Sequence, residues 1–207
     1  GDAPGEILKR AQWHEQNLRL DPKNVEQIVR EAVTQPENPK NLYEISLIGP
    51  YAVPYLLEHL RTGKDDAART NAAYVLVHLG PQVVVPVVEA LTSTDGLLLE
   101  HVCDVLRKIQ PADARAVHQL KRVFEDPQLL PTVRNTWAKS ALETITGQAA
   151  ENLKSIADYY YEEANRLYRG GAALQEELAD LRGAWWVWDP KANQNQGMLR
   201  YVKVPAF

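Results

Sequence analysis

Three short marks at nearly constant spacing constrain this chain more than any other feature. Gly49-Pro50 and Gly80-Pro81 lie 31 residues apart, and Gln110-Pro111 follows 30 residues later. Glycine suits the position after a helix C-terminus, where a positive φ is often needed. Proline suits the first helical turn, where its missing N–H costs nothing. Between the marks the apolar residues recur at helical spacing in two blocks, not one. Pro50–Arg61 carries Val53, Leu56, Leu57 and Leu60 on one face, and Ala67–Leu79 carries Ala68, Ala72, Val75, Leu76 and Leu79. Gly63 and the capping candidates Asp65 and Asp66 sit in the loop between them.

The unit recurs downstream. Pro81–Leu91, a turn at Thr92–Gly96 and Leu97–Ile109 repeat the pattern, with Leu56, Leu57 and Leu60 answered by Val87, Val88 and Leu91. In the second helices, Ala72, Leu76 and Leu79 are answered by Val102, Leu106 and Ile109. A longer unit follows, Pro111–Phe124 and Thr132–Ile145, ending at Gly147. Upstream, Asp21-Pro22 opens a helix to about Thr34, and Asn41–Ile48 is its short partner. Recurrence at this period predicts stacked helix pairs, each burying its apolar face against its neighbours.

The run Asp65, Arg69, Ala72-Ala73, Leu76 and Leu79-Gly80-Pro81 resembles the HEAT-repeat pattern, and Arg134, Ala138, Leu142, Ile145 and Gly147 repeat it more loosely. The second unit departs from it, with Leu99 where the pattern has arginine. The resemblance implies an all-α fold, an α-α superhelix of HEAT-like pairs. It also implies a scaffold that binds partners on a concave surface made by the second helices.

The C-terminal third reads differently. Leu153, Ile156, Ala157, Tyr160, Ala164, Leu167 and Tyr168 form an apolar stripe on an expected helix Glu151–Arg169, followed by a shorter helix Ala172–Arg182. At Trp185-Trp186-Val187-Trp188 the period changes to alternation, which returns at Leu199–Val204 and predicts a hairpin. In such a hairpin Trp186 and Trp188 share one face. The expected division is therefore 1–147 for the repeats and 148–207 for capping helices and a Trp-rich hairpin sealing the end of the stack. The run from Tyr159 through Trp188 is also similar to segments that follow HEAT repeats in uncharacterised, often exported, bacterial proteins. The opening Gly-Asp-Ala-Pro-Gly is expected to be a mature or trimmed N-terminus. An exported or periplasmic location is the expectation, with the cytoplasm as the alternative. Further domains of the same full-length chain are possible partners.

Composition narrows the function classes. The net charge of −4 is well mixed along the chain, whereas a nucleic-acid binder usually carries a basic module. A local run of bases from Arg107 to Lys139 includes Lys121 and Arg122, but it lacks the interleaved aromatics that stack on bases. No unbroken apolar run approaches the roughly 18 residues of a membrane helix, so no membrane insertion is expected. The single cysteine, Cys103, permits no intrachain disulfide and reads as a core residue.

No catalytic constellation stands out. The five histidines include no i,i+4 pair, so the helical two-histidine zinc spacing is absent. HEAT-type di-iron hydroxylases use several His-Glu pairs, and this chain has one, His14-Glu15. Glu100, His101 and Asp104 can share a helix face, which reads as a solvated patch before it reads as a metal site. No cofactor is expected. The candidate binding stripe runs along the second helices: Asn71, Tyr74 and His78, then His101, Asp104 and Lys108 by the 30-residue shift, then Lys139. Trp186 and Trp188 are added as an aromatic platform. The expected function is a non-catalytic scaffold for a protein or peptide. The rival readings are a HEAT-like lyase or nucleic-acid glycosylase, or a structural fragment of a larger exported bacterial protein.

Overall fold

The computed structural model describes residues 21–63, 65–169, 184–192 and 197–203. His14-Glu15 and the expected helix Ala172–Arg182 lie outside the described residues. Among the described residues the fold is all-α apart from one two-stranded sheet. The chain forms two compact units, Gly1–Leu79 and Gly80–Phe207. The C-terminal elements, expected as a division from 148, pack on helices of the second unit.

In the first unit, α1 (Pro22–Thr34) pairs with α2 (Pro39–Ile48), and α3 (Val53–Thr62) pairs with α4 (Asp66–Leu79). A 3-10 turn at Gly49–Ala52 leads into α3. Each start is chemically marked. The Asp21 carboxylate accepts from the Lys23 amide at 2.9 Å, Asn38 from Lys40 at 3.0 Å, and Asp65 from Ala68 at 2.7 Å. Pro22 and Pro39 sit in first turns, where no N–H is needed. At the end of α2, Gly49 takes φ 58°, which a side chain would resist. The core is drawn from Val25, Val29, Ile45, Leu56, Leu60, Val75 and Leu76, all buried at helical spacing.

In the second unit, α5 (Val84–Glu89) packs on α6 (Gly96–Lys108), and α7 (Val117–Glu125) packs on α8 (Lys139–Thr146). The second helices α6 and α8 also touch each other. The helix expected over Pro81–Leu91 is α-helical only at Val84–Glu89, flanked by 3-10 turns at Gly80–Val83 and Ala90–Thr92. Its valines are stiff, β-branched and poor at propagating a helix, so packing rather than propensity holds it. Val84, Pro86, Val87 and Val88 are all buried. Pro111 opens no helix. The pair α7–α8 starts at Asp113, whose carboxylate accepts from the Arg115 amide at 2.9 Å, and its second helix begins as a π-helical stretch, Val133–Ala138.

The C-terminal elements depart furthest from expectation. The helix expected from Glu151 is a 3-10 turn at Ala150–Asn152, a break, and then α9 (Ile156–Arg169). The break has a capping reason: the Ser155 hydroxyl accepts from the Asp158 amide at 3.3 Å and donates to the Asp158 carboxylate at 2.8 Å. α9 lies on α7. Of its expected inward stripe, Leu153 and Ile156 are half-buried, whereas Ala157, Tyr160, Ala164 and Tyr168 are exposed. The Leu167 side chain lies outside the described residues. Tyr160 meets the His118 ring edge-on, with centroids 6.3 Å apart.

The hairpin pairs β1 (Ala184–Asp189) antiparallel with β2 (Met198–Lys203), placing Trp188 opposite Leu199. β1 packs on α5, so the hairpin covers an early helix of this unit. Alternation sorts its faces as the strand period requires. Trp186 and Leu199 are buried and Trp188 half-buried, while Val187, Met198 and Arg200 are exposed. Gly197, at φ 81°, lies so close to the Trp188 indole that a Cβ would stand 2.5 Å from the ring.

The stretch Asp66–Thr92 is long and apolar enough, by length and composition, to cross a membrane, which a search for unbroken apolar runs does not anticipate. However, 61% of its most apolar window is buried inside the protein, and the helix is interrupted at Gly80, φ 68°. The core helices of a folded domain pass the same test.

Each buried tryptophan removes roughly 150–250 Å² from water, so the hairpin is a structural component of the second unit. Removing residues 184–207 is expected to lower the melting temperature by several degrees and to increase binding of an apolar-surface dye. A calorimetric scan with an unchanged transition would show that α5 does not depend on the hairpin.

Candidate functional site

The stripe on α4 divides into a structural and a displayed part. Asn71 is half-buried, and its side-chain amide donates to the Val33 carbonyl at 2.8 Å, in the last turn of α1. Asn41 does the same for the Glu31 carbonyl at 3.0 Å. Asn71 therefore fastens α4 to α1. Tyr74 and His78, one helical turn apart, are exposed, Tyr74 by 47%.

In the second unit, His101, Asp104 and Lys108 follow one another along α6. His101 is half-buried and Lys108 exposed. Asp104 is not free to receive a ligand: Arg107 Nη2 lies 2.5 Å from Oδ1 and Lys108 Nζ 2.6 Å from Oδ2. Burial works to raise this carboxyl, but the hydrogen bonds from Lys108 and Arg107 outweigh it and hold the pKa below its ordinary value. Lys139, at the start of α8, bonds Glu151 at 2.7 Å, with Glu143 at 3.9 Å. The hydrogen bond to Glu151 raises the lysine and lowers its partner. Trp186 is turned into the fold and Trp188 lies under Gly197, so these two do not form an open platform.

The basic run from Arg107 to Lys139 is engaged internally at every position. Arg107 and Lys108 bond Asp104, Arg115 bonds Asp113 at 2.7 Å, and Lys139 bonds Glu151. Arg122 donates to the Leu91 carbonyl, and Arg134 to the Phe124 carbonyl at 3.1 Å. Lys121 is buried. Its Nζ donates to the Ala150 carbonyl at 2.8 Å, sits 3.2 Å from the Glu125 carboxylate and lies 5.0 Å from the Phe124 ring centroid. The other Glu125 oxygen accepts from the Ile156 amide at 3.3 Å, at the start of α9. Lys121 and Glu125 thus bind α7 to the connection that launches α9. Sequence reasoning placed Lys121 among surface bases. The signal that it is not one lies in its spacing: with Val117, Leu120 and Phe124 it occupies the i, i+3, i+4, i+7 stripe of its helix.

Two further groups show how burial sets reactivity. Cys103 is fully buried, and burial, with Asp104 and Glu100 adding to it, pushes its thiol up to about 12. It is no nucleophile at neutral pH. His59, half-buried, has its pKa lowered by burial first and by Arg30 of α1 next, with Glu58 and Glu26 opposing. Among the described residues, no group of three or more His, Cys, Asp or Glu side chains is placed so as to hold a metal ion. Comparisons with protein-family models, with curated proteins and with solved structures gave no match, so function has to be read from the residues themselves.

Three outcomes follow from these contacts. Lys121→Met, which keeps the stem and loses the donor, is expected to reduce unfolding free energy by about 2 kcal/mol, whereas Lys108→Met on the exposed α6 pair changes it little. Denaturant titration separates them, and equal effects would refute the assignment of Lys121 as a core tie. Cys103 is expected to resist a thiol reagent in the native protein and to react fully once unfolded; rapid native labelling would contradict its burial. His59 contributes stability that is intact above its unfolded pKa of about 6.5. That contribution is lost as the pH falls from there through the lower folded value, since the unfolded chain takes up the proton more readily. The melting temperature of His59→Gln should accordingly fall less steeply between neutral and mildly acidic pH than that of the unmodified protein.

Proposed function

We propose that this chain is a non-catalytic, HEAT-like helical scaffold that binds a protein or peptide. The HEAT-like reading is supported by what its patterned residues do. Asp65 caps α4, and Arg69 donates to the Gly63 carbonyl at the end of α3 at 2.6 Å. Arg134, matched to Arg69 by the pattern, donates to the Phe124 carbonyl near the end of α7. The same residue type therefore closes the first helix of its own pair twice. The second pair, which has Leu99 at that position, receives Arg122 on the Leu91 carbonyl instead.

A single observation carries the binding surface: Tyr74 and His78 are displayed together on α4, while the opposite side of that helix, Ala72, Val75, Leu76 and Leu79, is buried. An exposed tyrosine beside an imidazole offers an apolar face with polar tips, the chemistry that dominates protein-binding hot spots. Asn71, through its bond to the Val33 carbonyl, holds in place the helix that presents them. A protein or peptide is favoured over a nucleic acid because the bases of residues 107–139 already serve internal partners. A scaffold is favoured over a lyase or glycosylase because Asp104 is bound by two cations and the Cys103 thiol is shut in the core.

A displayed random-peptide library panned against the protein tests the reading. Selected peptides are expected to lose about tenfold or more in affinity, about 1.4 kcal/mol, to the Tyr74→Ala, His78→Ala double variant, with its melting temperature unchanged. Peptides that bind both proteins equally would remove α4 as the binding face.

A further inference from the structure

We draw no further inference here: the strongest candidate, the outward face of α9 on which Ala157, Tyr161, Ala164 and Tyr168 recur at helical spacing and are exposed, is an unpartnered apolar face, and nothing in the structure shows what covers it.

Discussion

Helix ends, more than helix faces, give this fold its particular form. The last carbonyls of a helix have no donor within it and carry a partial negative charge. Here they are met by side chains reaching across from other helices. Asn41 and Asn71 serve the end of α1, Arg69 the end of α3, Arg122 the turn after α5, and Arg134 the end of α7. Apolar burial supplies most of the driving force but is non-directional. A guanidinium or amide that must find one particular carbonyl is directional, and it fixes the ends of α1, α3 and α7 and the turn after α5 against their neighbours.

Lys121 extends the same logic into the core. A buried ammonium is costly unless its donors are occupied. The Ala150 carbonyl, the Glu125 carboxylate and the Phe124 ring occupy them. The arrangement fixes the chain between α8 and α9, and Glu125 then holds the first amide of α9. Tyr161 and Tyr168 of α9 are exposed, and in the hairpin it is the Trp186 face that turns into the fold.

The elements that could be read from the sequence are those whose signals are local. α1, α4 and α6 lie within a residue or so of their expected bounds, because an acidic cap and a periodic apolar stripe mark each of them. The valine-rich α5 is shorter than its apolar run predicts, because that run reflects burial rather than helix propensity. The hairpin strands were legible from alternation, but their partner was not, since nothing local in Trp186 or Trp188 points to α5. The site behaves likewise. Spacing puts Tyr74 and His78 on one face, where both are exposed, yet the same spacing does not distinguish them from Asn71, whose role depends on a carbonyl 38 positions away. Asp104 and Lys139 looked available for the same reason, their ion partners being one helical turn or one loop distant.

Arg122 has a consequence for how the second unit melts. In a simple solenoid each repeat closes itself, and the array unravels from its ends in steps. Here the turn after α5 is closed by a residue of α7, while β1, from the far end of the chain, covers α5 itself. The earliest helix of the unit is thus completed by elements made after it, Arg122 on the turn that follows it and β1 on the helix itself. That arrangement ties α5, α7 and β1 to one another, so loss of the C-terminal strands is felt first at α5 rather than at the helix nearest the cut.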